Sequence, residues 1–478
     1  MTLRMDPGAA ALLDALHTAG HAAYAVGGCV RDSLLGLAPH DWDLCTSALP
    51  QQVMELFGAQ QCIPTGLQHG TVTVKHGGAL YEITTFRTEG AYTDGRHPDE
   101  VHFVPDVRED LARRDFTINA MAYNEAEGLI DPFGGQTDLQ SGIVRAVGVP
   151  HQRFTEDALR ILRLYRFAAR FGFGIDPATA QAAEELCAHL DCVSVERIEE
   201  ELAKLLAAPA PAAYLEPKIL GVVLPGLAPE ALAAAKPVVD ACPAGSEDLP
   251  IRLAALLCSL GEDGTCRALK RLRCSNVLIE ETAVLVREIM SGVPAAFSSD
   301  TKTGCGSQRL RRHSPCILLA AAPASAPCFR RWRRLSPLQA IPSPALLPSA
   351  TGPHPSGRSS EKLPARPLEN FTIYARHLLG KYNLRTVQRI AALGTAMQPE
   401  RAAEFAVLSQ LAAQLDADGV CCRISQLAVN GRDLMAAGIP AGPGIRAALE
   451  TLLDGVICGR YPNDRQALLA AVQQISAS

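Results

Sequence analysis

Gly27-Gly28-Cys29-Val30-Arg31-Asp32, followed by His40-Asp41-Trp42-Asp43-Leu44, sets two carboxylates two residues apart shortly after a glycine pair. Side chains at i and i+2 of a strand point to one face, so Asp41 and Asp43 can share metal ions. A two-metal site needs such a clamp, with ions about 3.5–4 Å apart activating a hydroxyl and stabilising the leaving pyrophosphate. The glycine turn lets backbone N–H groups approach triphosphate oxygens. Arg31, just inside the following helix, adds charge-assisted hydrogen bonds. Asp-x-Asp alone is common in solvated turns, and a lone Gly-Gly is weaker still. Their combination, in this order and spacing, suits nucleotidyl transfer.

Two further constellations carry chemistry. Glu109-Asp110-Leu111-Ala112-Arg113-Arg114-Asp115-Phe116-Thr117-Ile118-Asn119-Ala120 sets adjacent arginines before an apolar stretch, which reads as a phosphate clamp or as a solvated charged face. In Phe154-Thr155-Glu156-Asp157-Ala158-Leu159-Arg160-Ile161-Leu162-Arg163-Leu164-Tyr165-Arg166, residues Ala158, Leu162, Tyr165 and Ala169 fall on one helical face and bury it. Asp157 and Arg160, three apart, are neighbours on another side, and Arg160, Arg163 and Arg166 form a slowly wrapping basic stripe. A carboxylate accepts from the exocyclic amine of cytosine or adenine while a guanidinium donates to a ring acceptor. Neither U nor G offers that pattern. A plain surface ion pair between Asp157 and Arg160 is the alternative.

The elements that must position these residues are legible in the apolar spacing. Residues 9–20 read as a helix ending at Gly20, 22–26 as a strand, and 30–35 as a resumed helix after the glycine break. Further strands are expected at 40–45, 71–75, 79–86 and 101–104, with helices near 50–57 and 115–122, giving a small head with a mixed sheet. From Glu156 the pattern turns helical: 155–171, 177–189, 194–207, 229–239, 248–260 and 263–272 all carry apolar residues three or four apart.

The chain has 478 residues, 48% of them hydrophobic, enough to bury more than one core and to form two to four domains. Its net charge of -5 does not announce a nucleic-acid binder, so RNA has to be held by local basic stripes. Fifteen scattered cysteines without metal-like spacing read as thiols in a reducing compartment. Asp6, Asp14 and His17 break any apolar leader core, and no run of eighteen apolar residues follows. A soluble cytoplasmic protein is expected. Residues 301–370 are compositionally foreign: 11 of the 33 prolines, nine serines, and 11 Lys plus Arg against two Glu. That local surplus of +9 leaves -14 for the rest, and so much proline with so little periodicity reads as disorder or an insertion.

The first motif resembles the signature of the polymerase β nucleotidyltransferase superfamily. All three, in this order, resemble the class II tRNA nucleotidyltransferases, the bacterial CCA-adding type, and their sister poly(A) polymerases. The resemblance runs through residues 24–206. It includes Pro64-Thr65-Gly66-Leu67-Gln68-His69-Gly70-Thr71, Thr84-Thr85-Phe86-Arg87, Asp131-Pro132-Phe133-Gly134-Gly135 and Ser194-Val195-Glu196-Arg197-Ile198. It implies an α+β head of the nucleotidyltransferase (polymerase β-like) fold with a mixed sheet, followed by an all-helical neck, body and tail. The expected bounds are 1–145 for the catalytic head, 146–207 for the neck, 208–295 for the body and 369–478 for a tRNA-binding tail. Between body and tail, 296–368 is a low-complexity insertion or a frame-shifted segment.

The implied activity is template-independent addition of C, C and A to the 3′ end of tRNA from CTP and ATP with Mg2+. Asp41 and Asp43 are then the catalytic metal ligands. Gly28, Arg31 and Arg114 contact the nucleotide, and Asp157 and Arg160 template its base with Arg163 and Arg166 in support. Glu82 is a candidate third carboxylate, outside the metal set. Glu89-Gly90-Ala91-Tyr92-Thr93-Asp94-Gly95-Arg96-His97-Pro98 resembles the flexible loop of A-adding members. Cys258-Ser259 stands where some relatives carry a His-Asp pair, so no phosphohydrolase activity is expected. Asn430-Gly431-Arg432-Asp433-Leu434 and Gly438-Ile439-Pro440 resemble the family tail and offer a weak tRNA contact. No membrane and no stable protein partner are implied. The competing readings are a poly(A) polymerase and a non-catalytic RNA-binding relative.

Overall fold

The computed structural model describes residues 3–90, 101–294 and 365–476. The chain divides into two compact units, Met1–Ala296 with Asn370–Ser478, and Phe297–Glu369; the architecture below is that of the first. Its head comprises α1 (Pro7–Thr18), β1 (Ala23–Val26), α2 (Gly28–Leu34), β2 (Asp43–Thr46), α3 (Pro50–Phe57), β3 (Cys62–Gly66), β4 (Thr71–His76), β5 (Ala79–Thr85), β6 (Arg87–Glu89), β7 (Val101–Phe103), α4 (Val107–Ala112), β8 (Ala122–Asn124), β9 (Gly128–Ile130), α5 (Gly135–Ser141) and β10 (Ile143–Val144). Helices α6 (Pro150–Glu156) and α7 (Leu159–Phe171), the short β11 (Gly174–Ile175), α8 (Pro177–Glu185) and α9 (Val195–Leu206) follow. Then come α10 (Pro217–Val223), α11 (Pro229–Ala241), α12 (Leu249–Leu257), α13 (Gly261–Arg271) and α14 (Asn276–Ser291). After the undescribed stretch, α15 (Ala365–Lys381), α16 (Leu384–Met397), α17 (Ala402–Ala417), α18 (Gly431–Ala436), α19 (Pro443–Ile457) and α20 (Arg465–Ser476) complete the fold.

The expected α+β head with a mixed sheet and a helical remainder is what forms. Seven strands lie in the order β3-β4-β5-β2-β1-β8-β9. β2 is central, antiparallel to β1 with Tyr24 opposite Cys45, and parallel to β5 with Asp43 opposite Glu82. Helix α1 shows how local sequence builds the support: the Asp6 carboxylate accepts from Gly8 N and Ala9 N, both at 3.0 Å, and Pro7 needs no donor partner at the first position. Its Ala9, Leu12, Leu13 and Leu16, three to four apart, are buried in one core with Leu44 and Ile83 of the sheet. Cys45, Tyr24 and Val26 pack on the opposite face, against Val107 and Leu111 of α4. Each face of β2 is therefore sealed, and its one acid, Asp43, opens the strand at the N-terminal end.

Several local expectations need correction. The strand expected at 40–45 begins only at Asp43, so Asp41 sits in the segment leading into it. Residues 115–122 are not a helix: a single 3-10 turn, Thr117–Asn119, gives way to β8. There Asp115 Oδ1 accepts from Phe116 N and from Asn119 Nδ2, and Thr117 donates to Asp138, so polar side chains take up the donors and acceptors a helix would leave to itself. The helix expected over 155–171 breaks at Asp157, which is extended at φ -141° and ψ 103°. The segment resembling a flexible loop lies mostly at 91–100, and the foreign segment mostly at 295–364, outside the described residues. Among the described residues no helix is long and apolar enough to cross a membrane, and all twelve cysteines there are free.

Candidate active site

Asp43 opens β2 half-buried, with exposed Asp41 two residues before it. Tyr81 and Ile83 are buried in the α1 core, so the alternation of β5 turns Glu82 to the other face, the one Asp43 shares with Cys45. Asp43 and Glu82 are thus register partners on one face of the central strands, with Asp41 just ahead of β2, and the charges of Asp41 and Glu82 both reach Asp43. Burial pushes the Asp43 carboxyl up to about 6, and the charges of Asp41 and Glu82 push the same way. Arg114 alone opposes them. Among the described residues, none of the three carboxylates has an ion pair or a side-chain hydrogen bond. Hard oxygen donors on a cluster of net negative charge fit a divalent cation of the magnesium type.

The glycine turn lies beside this cluster. Gly27, at φ +78°, adopts a conformation open to glycine, and its N–H donates to Met121 O as the sheet passes into α2. A Cβ at Gly27 would fall 2.8 Å from Nη1 of Arg114, so the missing side chain is what lets that guanidinium lie against the turn. Asp110, fully buried, holds Arg113 at 2.8 Å and Arg114 at 3.4 Å. Gly28 is less constrained: the nearest atom to a Cβ there is Nη2 of Arg31, at 3.6 Å. Arg31 itself is buried under the turn. It donates to Asp32 and, at 2.5 Å, to Asn119, and its guanidinium lies 5.2 and 4.9 Å from the ring centroids of Phe167 and Phe171. It therefore braces the head against α7.

The break at Asp157 shapes the second half of the site. Asp157 Oδ1 caps α7 by accepting from Leu159 N at 3.0 Å, and Oδ2 accepts from Arg197 of α9 at 2.8 Å. Arg160, buried, donates to Glu156 at 2.8 Å and to the carbonyls of Arg153 and Arg113. Asp157 and Arg160 are thus not paired with each other as a surface ion pair; each is held by a separate partner. Arg163 donates to Asp115 at 2.6 and 2.9 Å, and Arg166 to Glu201 at 2.5 Å. Burial works against the Asp115 carboxylate, yet the Arg163 guanidinium beside it holds it well below the usual carboxylate range. The basic stripe is therefore neutralised arginine by arginine, by acids drawn from α6, the 115–119 turn and α9. Sequence reasoning left Asp115, Glu156, Arg197, Glu201 and Gly27 out of the site. Glu201 had a signal: it sits on the apolar stripe of Ile198, Leu202 and Leu205, where an acid has to be paired.

Three family models match in order: the poly A polymerase head domain at residues 23–145, the RNA and SrmB-binding site of polymerase A at 172–229, and tRNA nucleotidyltransferase domain 2 at 363–472. A CCA-adding enzyme from Lactobacillus delbrueckii subsp. bulgaricus is 52% identical over 194 residues, 41% of this chain and 48% of that protein. One from Lactiplantibacillus plantarum is 48% identical over 204 residues, 43% and 50%. The chain spans about half the length of the curated relatives it matches. The crystal structure of the Bacillus stearothermophilus CCA-adding enzyme in complex with CTP superposes with a TM-score of 0.71 at 28% identity, covering 99% of this chain and 98% of that one. With the head, RNA-binding and second nucleotidyltransferase segments matched in order, the chain is similar to the tRNA nucleotidyltransferases and poly(A) polymerases segment by segment, and shares the fold of a CCA-adding enzyme along its length.

Proposed function

We propose that the chain adds C, C and A to the 3′ end of tRNA, taking CTP and ATP by nucleotidyl transfer at the Asp41, Asp43 and Glu82 end of the sheet. The observation that carries this reading is the carboxylate cluster itself. Among the described residues none of the three acids has an ion pair, and burial, with the charges of Asp41 and Glu82 behind it, raises the Asp43 carboxyl against the single opposing charge of Arg114. A cluster left with net negative charge in this way has no structural use. Asp41 and Asp43 would hold Mg2+, with Glu82 beside them as a third oxygen donor. When bound, that metal supplies the positive charge that makes the 3′ hydroxyl a better nucleophile and steadies the departing pyrophosphate, in the two-metal manner.

This chain's own groups do the remainder. Gly27 and Gly28 present backbone to the triphosphate without steric cost, and Arg114, held by Asp110, donates to it. Arg31 supports the turn from beneath. Asp157 can only accept and Arg160 can only donate, so together they match the Watson–Crick edges of C and A and oppose those of U and G. Their separate anchoring by Arg197 and Glu156 keeps the pair fixed while the base changes. Arg163 and Arg166, pinned by Asp115 and Glu201, hold α7 in place. In this reading residues 1–145 are the catalytic head, 146–207 the base-reading neck, 208–295 the body and 369–478 the tRNA-binding tail. The free cysteines suit the cytoplasm. The same relative solved with CTP shares the fold over nearly its whole length.

The test separates chemistry from binding. Asp41→Ala and Asp43→Ala should each abolish incorporation of both C and A into a truncated tRNA while leaving tRNA affinity within about twofold, because neither acid can neutralise an RNA phosphate. Near wild-type incorporation by either variant overturns the assignment.

A further inference from the structure

Far along the sequence from the residues assigned to the reaction, His377 of α15, Asp454 of α19 and Cys458 just past the end of α19 bring one ligand atom each to within 4.8 Å of one another. Asp454 and Cys458 are four residues apart, so the helix sets them one above the other on a single face. His377 enters from the opposing helix. The separations are 3.5 Å from His377 Nε2 to Asp454 Oδ1 and 3.8 Å from Cys458 Sγ to the same oxygen. A tetrahedral zinc ion with bonds of about 2.3 Å to sulfur and about 2.0–2.1 Å to nitrogen or oxygen needs ligand edges of about 3.3–3.6 Å. Two of the three edges therefore already stand within a few tenths of an ångström of tetrahedral values, and the third, from His377 to Cys458, is within 4.8 Å.

We propose that His377, Asp454 and Cys458 form a site for a borderline-soft divalent cation, Zn2+, with water in the fourth position. Sulfur, imidazole and carboxylate together select zinc over magnesium, which prefers an all-oxygen octahedron. All three residues are partly buried, so a cation could enter and still be shielded. Arg460 pairs with Asp454 through the other carboxylate oxygen, Oδ2, leaving Oδ1 turned toward the His and Cys. That is the outer-shell support that orients a ligating carboxylate. The Cys458 proton goes to solvent as the thiolate binds the metal. Two hydrophobic cores meet here. Phe371, Ala375, Leu378 and Leu379 of α15 belong to the main core, whereas Leu452 and Val456 of α19 belong to a smaller one shared with α20. A bound ion cross-links the two, adding to the hydrogen bond from Arg376 to Ile457 O.

The test uses the full chain, stripped with a chelator and titrated with Co2+ as a spectroscopic probe, in an Asp41→Ala, Asp43→Ala background that removes the magnesium ligands. The expected result is one equivalent of cobalt with an intense tetrahedral visible spectrum and a near-ultraviolet thiolate charge-transfer band, displaced by Zn2+. Cys458→Ser should abolish the charge-transfer band, and His377→Gln should weaken Zn2+ binding by more than about a hundredfold, beyond what loss of an outer-shell partner costs. Zn2+ should raise the melting temperature of the parent and not of Cys458→Ser. Cobalt binding with no thiolate band, or a band that survives Cys458→Ser, overturns the proposal. Because the readouts are spectral and thermal, failure here leaves the nucleotidyl-transfer reading untouched.

Discussion

Replacing Asp43 with asparagine should make the metal-free protein more stable while destroying its activity. The folded protein raises the Asp43 carboxyl from 3.8 to about 6, through burial and through the charges of Asp41 and Glu82. The folded-state value lies above the unfolded one, so the ionised group opposes folding. That opposition is absent below about pH 4, where the carboxyl is protonated in both states, and grows to its full size above about pH 6. A shift of about two units corresponds to about 3 kcal/mol, and allowing for relaxation and partial solvent access a gain of about 1–3 kcal/mol is expected for Asp43→Asn at pH 8. The assay is thermal unfolding in chelator from pH 4 to pH 8. The variant should melt higher than wild type by at least about 2 °C at pH 8 and converge with it at pH 4. Added Mg2+ should then stabilise wild type and not the variant. Equal stability at pH 8, or a gap that does not change with pH, would refute the reasoning that this acid is held ready for a cation.

Four other outcomes follow from the same geometry. Asp157→Ala should lower discrimination of CTP over UTP, and of ATP over GTP, by about tenfold to a hundredfold in single-turnover incorporation, since each unmatched polar group costs about 1–3 kcal/mol. Arg197→Met should do part of the same damage by freeing Asp157, with loss of selectivity exceeding loss of tRNA affinity. Gly27→Ala, which forces a side chain into φ +78° and onto Arg114, should cost about 1–2 kcal/mol of stability by chemical denaturation and impair incorporation. Asp115→Ala leaves Arg163 only Glu201, at 4.0 Å, and removes the acceptor of Asn119, so it should destabilise by about 1–3 kcal/mol, lowering the denaturant midpoint accordingly.

The chemistry-bearing residues could be found by type and spacing because their motifs are local: Gly27 to Asp43 and Glu156 to Arg166 each fit in one short window. What holds them could not. Glu82 was visible as an acid on a strand, yet only the parallel pairing of β5 with β2 sets it opposite Asp43, and such pairing joins residues 39 apart. Arg197 and Glu201 meet Asp157 and Arg166 across 40 and 35 residues. Helix α7 itself was legible from its apolar stripe, and its true start was too: Asp157 followed by an apolar run is a capping signal that the longer periodicity masked. Strands β8 and β9, three residues each, are too short to show alternation, and the apolar run before them read as helix. Of the two glycines, the sequence alone cannot say which takes the left-handed conformation; it is Gly27, fixed by the tertiary approach of Arg114.

The most direct test of the central claim is the intact mass of a tRNA lacking its last three nucleotides after incubation with this protein, magnesium and all four nucleoside triphosphates. The account predicts a single product heavier by two cytidylates and one adenylate, with no further growth at long times and no incorporation of U or G. An unchanged mass would mean that the site does not transfer nucleotides to tRNA, and a ladder of adenylates would mean that the chain is a poly(A) polymerase.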